Sequence, residues 1–483
     1  MYEKNNRRED TMEALFHLLR TRFSDRDERM PLPAGFTDDA SRLNQTRIAE
    51  IVTPSHSGGS VEDQLRRHLQ HARDKKLPLS IAGTRHTMGG QTFTPGGMVL
   101  HMLDLRQIHL DERNNILHVQ AGACWSEVLC YLHERHRSLL VMQASNSFSV
   151  GGSLGANCHG WQPASPPIAS TVVAFRLLLA DGTILRCSRE QHDELFSLVL
   201  GGYGLFGVVI EVELAVCANV CYRATSTVLP SAEYPAFYQE HIRSDSLIGL
   251  AYGRFNVDPA RFLRDILLTA YSATEGNTGS PLRKPGLAGI RRAIFRSSAG
   301  SAANKALRWK LETQFGMLAV GQTIMRNVLL NDGVEVFQGR SATHTDILHE
   351  YFVSAAQLES FLERLRVIIP AYDGAELLNV TIRFVCTDHV SFLRYADQDM
   401  FALVMLFHQP RTQQADQHMA AMTREIIDAV LQSGGRYYLP YRLHATLEQF
   451  SRAYPQAQQF FALKRKYDPD EVFQNELYRK YMS

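Results

Sequence analysis

The residues best suited to chemistry lie in three glycine-rich segments of the N-terminal half. The first is IAGTRHTMGGQ, residues 81–91, which directly follows a predicted buried strand. Small residues in that position let consecutive backbone N–H groups converge on an anion, and a pyrophosphate is the natural guest. A surface β-turn explains poorly why Arg85 and His86 stand among glycines there. We therefore expect an anion-binding loop.

The second segment is VGGSLGANCHG, residues 150–160, in which apolar residues alternate with residues that have little or no side chain. Such a segment can lie against a flat ring system. A tightly packed loop beneath a neighbouring helix explains the same pattern equally well. We expect the whole stretch from Val141 to Trp161 to be a loop.

The third segment, GGYGLFG at residues 201–207, contains G-x-G-x-x-G at Gly202, Gly204 and Gly207. The dinucleotide-binding fingerprint follows a strand and opens a helix. Here a predicted helix precedes the glycines and the strand pattern VVIEVEL follows them. The order is reversed, so we do not assign that fingerprint.

The elements around these segments alternate between short strands and helices. EDQLRRHLQHARDKK and WSEVLCYLHERH have the apolar spacing of helices, and LPLSIAG, MVLHMLDL and ILHVQAG read as strands. STVVAFRLLLADGTILRCS predicts a hairpin that turns at Asp181-Gly182. A short amphipathic helix is predicted at Met12 to Phe23. This interleaving favours an α/β or α+β fold.

Composition narrows the class of protein. The 483 residues are 45% hydrophobic and 21% charged, with a formal net charge of +1, which is typical of a globular chain of two or three domains. The near-zero net charge argues against nucleic acid as a partner. The seven cysteines include no C-x-x-C pair, and Cys158 beside His159 makes poor zinc geometry, so we expect no metal site. The charged N-terminus, without an apolar signal region, predicts an unprocessed cytoplasmic protein.

Five segments, taken in order, resemble the FAD-binding domain of the vanillyl-alcohol oxidase and p-cresol methylhydroxylase (PCMH-type) flavoprotein superfamily. They are PLSIAGTRHTMGGQ, VQAGACWSEV, FSVGGSLGANCHG, RLLLADGTILRCSRE and LFSLVLGGYGLFGVV. The later YDPDEVFQNELY resembles the end of the sugar-oxidising branch, which includes aldonolactone, alditol and decaprenylphosphoryl-ribose oxidases. The resemblance covers nearly all of residues 45–215 and 437–483 and is loose over 222–435.

The resemblance implies an α+β fold in which both chain ends form the PCMH-type FAD-binding domain and an antiparallel-sheet substrate (cap) domain is inserted. The implied divisions are a lead-in at 1–45, the FAD domain at 46–221, the cap at 222–436 and a completing segment at 437–483. The implied FAD contacts are Ala82, Gly83, Thr84, Arg85, His86, Thr87, Gln91, Ser147, Gly151, Gly152, Ser153, Asn157, His159, Gly204, Gly207 and Val209.

The resemblance also implies that FAD is joined covalently through His86. In relatives with G-x-x-H-S, the corresponding histidine carries the flavin. This chain has Thr87 in place of that serine.

Three polar residues are the implied catalytic set. HEYFV at 349–353 and TIRF at 381–384 resemble two paired strands of the sugar-oxidising branch, the second with an inward Arg, so Glu350 and Arg383 are expected to share a cavity. A purely structural cross-strand Glu–Arg pair is the alternative. Tyr441 stands where several relatives carry a catalytic lysine. A phenol titrates near 10, so it would be a poor base unless a cation such as Arg442 lowers its pKa.

The implied activity is FAD-dependent oxidation of a CH–OH group of a sugar, polyol, lactone or similar small polar metabolite, by hydride transfer to flavin N5. The alternatives are a biosynthetic flavoenzyme that dehydrogenates a C–N or C–C bond and a flavin-free binding or scaffold protein. The electron acceptor is oxygen, a quinone or a protein. Met102 falls where a small residue is associated with oxygen access, which favours a dehydrogenase.

The segment at 281–311 has eight Lys or Arg and no acidic residue. Its glycines and serines predict a mobile, solvated loop. Peripheral contact with an anionic membrane or with a phosphorylated substrate is the alternative.

Overall fold

The computed structural model describes residues 29–276, 295–319, 323–334, 339–372 and 376–482, together with residues 27, 281, 282, 292, 321 and 374. Helices and sheets are mixed throughout these residues, which confirms the coarse fold class. The predicted helix at Met12 to Phe23 lies outside them. The division into an FAD domain and an inserted cap stays a prediction.

The described residues of the first half form a two-stranded, a three-stranded and a six-stranded sheet together with four α-helices. Its strands are β1 Phe36–Thr37, β2 Thr46–Arg47, β3 Glu50–Val52, β4 Leu79–Ala82, β5 Met98–His101, β6 Ile108–Asp111, β7 Ile116–Gln120, β8 Arg137–Leu139, β9 Val172–Leu178, β10 Ile184–Ser188 and β11 Val208–Ala218. Its helices are α1 Val61–Asp74, α2 Trp125–His133, α3 Val150–Gly155 and α4 Asp193–Val199. β3, β5 and β4 form a parallel sheet, and β10, β9, β11, β7 and β6 form an antiparallel sheet to which β8 is added. The predicted hairpin is confirmed, since Ile184 pairs with Leu178 and Gly182 has a φ of 89°.

Helix α3 corrects the prediction of a continuous loop from Val141 to Trp161. Val150 and Leu154, four residues apart, are both buried and give this glycine-rich turn an apolar side. The N–H groups of Val150 and Gly151 donate to Ala123 O and Ala121 O at 2.9 and 2.8 Å. Satisfied backbone groups therefore allow a helix in spite of the glycines.

The second half is organised around an eight-stranded sheet. Its strands are β12 Cys221–Pro230, β13 Ile248–Phe255, β14 Asp265–Thr274, β15 Thr323–Met325, β16 His344–Val353, β17 Glu376–Val385, β18 Met400–Pro410 and β19 Arg436–Tyr437, in the order β15-β12-β14-β13-β17-β18-β16-β19. The described helices are α5 Tyr234–Tyr238, α6 Ala302–Ala319, α7 Arg326–Leu330, α8 Leu358–Ile368, α9 Gln413–Gln432, α10 Leu447–Ala453, α11 Ala457–Tyr467 and α12 Glu476–Tyr481.

Strand register decides which side chains share a face of this sheet. Val404 lies opposite Glu350 on one side and Thr381 on the other, and Thr381 lies opposite Arg254. Opposed residues of neighbouring strands project to the same face. The other face packs on helices, where the Tyr351 ring contacts Phe361 of α8.

The C-terminal segment returns to the first half of the chain. Leu79 N donates to Val472 O at 2.7 Å, and Gln474 N donates back to Leu79 O at 3.0 Å. Gln91 donates to Leu439 O at 2.7 Å. Residues near 440 and 473 therefore pack beside the first glycine-rich segment.

The described part of the basic segment is packed on the sheet, so the prediction of a solvated loop is wrong for residues 295–311. Arg308 of α6 is 3% exposed and donates to Leu378 O at 2.8 Å. Arg296 forms an ion pair with Asp346, and Lys305 forms one with Glu376. Among the described residues, no helix is both long and apolar enough to cross a membrane.

Candidate active site

A cavity of about 640 Å³ lies between the glycine-rich segments and one face of the eight-stranded sheet. Twelve of the sixteen predicted FAD contacts line it: Gly83, Thr84, Arg85, His86, Thr87, Gln91, Gly151, Gly152, His159, Gly204, Gly207 and Val209. The three glycine-rich segments, which are far apart in sequence, thus meet at one site.

The other four predicted contacts do not line the cavity. Ala82 is buried in β4, and Ser147 accepts from the N–H of Val334. Ser153 accepts from Trp125 Nε1 at 2.8 Å. Asn157 donates to Asp388 at 2.8 Å and to Ser391 at 3.1 Å, which ties this loop to the segment after β17.

The donors around the first segment fit the diphosphate of FAD. In the described part of the chain, Arg85 Nε, Thr87 Oγ1 and Ser149 Oγ are buried without a hydrogen-bond partner. Buried polar atoms normally have a hydrogen-bond partner, and the phosphate oxygens of a bound FAD would supply one for each of these atoms. A Cβ on Gly83 would overlap Ser149 Oγ, so this loop and α3 approach as closely as glycine allows.

Ser149 was missed by sequence reasoning, which chose Ser147 two residues earlier. Ser149 lines the cavity and precedes the first residue of α3. A serine directly before a buried helical turn could have indicated this position, but the segment was expected to be a loop.

His86 lies on the cavity wall beside an aromatic ring. Its imidazole stacks on Phe148 with a centroid separation of 4.3 Å and an interplanar angle of 18°. Arg85, immediately before it, has a left-handed φ of 56°.

Glu350 of β16 is the centre of a buried polar group where the sheet meets the second glycine-rich segment. Its side chain is fixed by two hydrogen bonds: Oε1 lies 2.5 Å from His159 Nε2, and Oε2 accepts from the Tyr441 hydroxyl at 3.1 Å. Glu350 is 4% exposed and His159 is 5% exposed. His159, expected as a flavin contact, is therefore also the partner of the predicted catalytic carboxylate.

Tyr441 is suited to donate a hydrogen bond and unsuited to act as a base. Burial raises its pKa well above 10, and the neighbouring Glu350 carboxylate raises it further. The cation proposed to counter this effect is engaged elsewhere, since Arg442 pairs with Asp416 at 2.7 Å. The suggestion that Arg442 lowers the pKa of Tyr441 is wrong.

Arg383 lines the cavity without a fixed partner. Within the described residues its guanidinium makes no hydrogen bond and no ion pair within 4 Å, so it is not one half of a structural Glu–Arg pair. The expected pairing of its strand with that of Glu350 is wrong, because β18 lies between them, and this explains the lack of direct contact. Burial lowers its pKa, and the Glu350 carboxylate opposes that change.

Aromatic side chains that sequence reasoning did not select complete the sheet side of the cavity. The Trp161 ring meets Tyr252 and Tyr271 edge to face, with centroids 5.4 and 5.7 Å apart. Arg254 and Asn379 lie on the same wall, and Arg254 pairs with Glu312 at 3.0 Å. Aromatic faces beside polar groups suit a molecule that has both C–H and hydroxyl surfaces.

Comparison with known proteins gives two family matches. The FAD binding domain family matches residues 59–188, and the D-arabinono-1,4-lactone oxidase family matches residues 295–481. The L-gulonolactone oxidase of Mus musculus is 21% identical over 419 residues, which cover 86% of this chain and 92% of that protein.

Two further relatives match over shorter regions. Cytokinin dehydrogenase 2 of Arabidopsis thaliana is 29% identical over 179 residues, which cover 36% of this chain and only 35% of that protein. L-galactono-1,4-lactone dehydrogenase 2, mitochondrial, of Oryza sativa subsp. japonica is 31% identical over 147 residues, covering 30% of this chain and 25% of that protein. These matches confirm the expected resemblance to the PCMH-type FAD-binding flavoproteins and to their sugar-oxidising branch, and the class of enzyme that they indicate is an FAD-dependent oxidoreductase.

Proposed function

We propose that this protein oxidises a CH–OH group of a sugar, polyol, lactone or similar small polar metabolite to a carbonyl. The observation that carries the proposal is the Glu350 carboxylate, which is buried in the cavity wall and fixed there by hydrogen bonds to His159 of the second glycine-rich segment and to Tyr441. The match to the D-arabinono-1,4-lactone oxidase family over residues 295–481 supports it, because that match includes Glu350, Arg383 and Tyr441.

Each residue of the cavity has its own role in the proposed oxidation. When bound, FAD supplies the acceptor for the hydride that leaves the substrate carbon. Glu350 takes the hydroxyl proton, Tyr441 donates a hydrogen bond to Glu350 or to a substrate oxygen, and Arg383 stabilises negative charge on that oxygen. Trp161 and Tyr252 pack against the C–H face of the substrate.

For the cofactor, we propose covalent attachment through His86, which lines the cavity beside the proposed diphosphate donors. For the electron acceptor, we propose a quinone or a protein in preference to oxygen. The side chain of Met102 lines the same cavity and is 3% exposed, and a flexible thioether there would narrow the path for oxygen.

A substrate screen under anaerobic conditions tests the proposed reaction. Sugars, polyols, aldonolactones and amine substrates are added one at a time, and loss of the flavin absorption band is followed. Bleaching by CH–OH compounds supports the proposal. Bleaching only by compounds that lose hydrogen from C–N or C–C bonds would favour that alternative.

A further inference from the structure

The contacts of the two His159 ring nitrogens show that His159 and Glu350 share a single proton in the hydrogen bond between them. His159 Nδ1 lies 3.1 Å from the carbonyl oxygen of Gly160, and a carbonyl only accepts, so Nδ1 carries a hydrogen. Nε2 lies 2.5 Å from Glu350 Oε1. Either Nε2 is protonated and Glu350 is ionised, or Nε2 is bare and Glu350 holds the hydrogen. In both cases the pair shares one proton and has no net charge.

The surroundings favour the first arrangement. The Tyr441 hydroxyl donates to Oε2 of Glu350 at 3.1 Å, which stabilises an ionised carboxylate. The Arg383 guanidinium interacts electrostatically with the same carboxylate. A hydrogen-bond donor and a second cation therefore both act on Glu350, and both oppose its protonation.

Five described groups near the pair keep their protons close to neutral pH. The thiol and phenols that interact electrostatically with Glu350 all have a pKa raised by burial, and Arg383 remains a cation. These groups are Cys158, Tyr395, Tyr438, Tyr441 and Tyr454. These groups therefore stay neutral close to neutral pH, and none of them supplies a charge that could replace that of His159.

We infer that His159 is a positioning residue that keeps the shared proton on its own ring and so keeps Glu350 ionised for the substrate. The inference rests on the proposed oxidation of a CH–OH group. In that reaction the substrate O–H bond breaks and its proton goes to Glu350, while the C–H electron pair leaves with hydrogen as a hydride to FAD, the oxidant. The carbonyl forms, and the proton on Glu350 later passes to solvent.

His159→Gln tests this role, since the glutamine amide can donate to Oε1 but carries no charge. Without the neighbouring cation, the ionised form of Glu350 loses a contact that stabilises it. The acid limb of the kcat/KM profile should therefore move up by about 1–3 pH units, with recovery toward the unmodified enzyme at higher pH. A fall of equal size at every pH would overturn the inference.

His349→Gln is the matched control. His349 is also a buried histidine of β16, next to Glu350, but its ring contacts Tyr351 and Thr423 on the opposite face. Burial lowers the pKa of His349 to about 3, so the substitution removes no charge. The acid limb should stay in place, and an equal shift in this variant would contradict a specific role for His159.

Nitrogen NMR of the flavin-loaded protein with labelled histidine needs no substrate. The resonances lost in His159→Gln identify that ring, and at about pH 7 they should report two protonated nitrogens. Glu350→Gln should shift them to a neutral ring. If the His159 ring is neutral in the unmodified protein, the inference is wrong, even if the protein oxidises a CH–OH compound. If the ring is charged but no CH–OH substrate is found, only the proposed function is wrong.

Discussion

Glu350, Tyr441 and Arg383 offer a carboxylate, a phenol and a cation to the same cavity. Replacing any one of them by alanine should lower turnover by roughly 10²-fold or more, because each is expected to act on charge that develops in the transition state. Steady-state kinetics measures the loss, and the flavin absorption of each purified variant checks that the cofactor is retained. Normal turnover in all three variants would refute the assignment.

A second prediction at this scale concerns His86. If its ring holds FAD covalently, acid precipitation of the protein should leave the yellow colour in the pellet. His86→Ala should release the flavin into the supernatant under the same treatment. Colour found wholly in the supernatant of the unmodified protein would show that the linkage is absent.

The resemblance of two strands to the sugar-oxidising branch selected Glu350 and Arg383, and strand alternation placed each of them on the cavity face. It was not enough to find the partner of Glu350. His159 is separated from it by 191 positions, and no spacing rule connects a glycine-rich loop with a distant strand. The unpaired state of Arg383 was equally hidden, since it depends on β18 lying between two strands that the sequence only suggests are neighbours.

Among the elements, the contact between the first glycine-rich loop and α3 gives a third prediction. Gly83→Ala should lower flavin content, because the added Cβ overlaps Ser149 Oγ. Ser149→Gly in the same chain removes the obstructing atom, so the double variant should bind flavin as well as Ser149→Gly alone. Absorption at a fixed protein concentration measures the content. Equal flavin content in Gly83→Ala and the unmodified protein would contradict the proposed packing.

Helix α6 gives a fourth prediction. Arg308→Met should lower the free energy of unfolding by about 1–3 kcal/mol, because Leu378 O loses its donor in a buried position. Lys310→Met, on the exposed side of the same helix, is the control and should leave stability nearly unchanged. Denaturant unfolding followed by circular dichroism compares the two. Equal losses would mean that Arg308 does not anchor the helix.

The same helix shows why composition misled the prediction for residues 281–311. Eight basic residues without an acidic residue indicate a solvated segment when read locally. The partners of Arg296 and Lys305 are Asp346 and Glu376, which belong to strands β16 and β17 later in the chain. Charge compensation across the fold therefore could not be read from the segment itself.

For the molecule as a whole, a fifth prediction concerns the transfer of electrons from the reduced flavin to the electron acceptor. When the reduced enzyme is mixed with air-saturated buffer in a stopped-flow instrument, reoxidation of the flavin should take longer than milliseconds. Met102→Ala should accelerate the reaction by opening space at the cavity wall. Met98→Ala, in β5 and away from the cavity, controls for general loosening of the core. Millisecond reoxidation of the unmodified enzyme would identify an oxidase.

The hydrogen bond from Gln91 to Leu439 joins residues 348 positions apart, and Leu79 is joined in the same way to Val472 and Gln474. During synthesis on the ribosome, the first glycine-rich loop therefore emerges long before the segment against which it packs. Until the residues of the eight-stranded sheet have been synthesised, that loop lacks the C-terminal residues with which it forms hydrogen bonds. Flavin capture is consequently a late event in biogenesis, and a ribosome stalled before residue 439 carries a polypeptide whose cofactor pocket still lacks one wall.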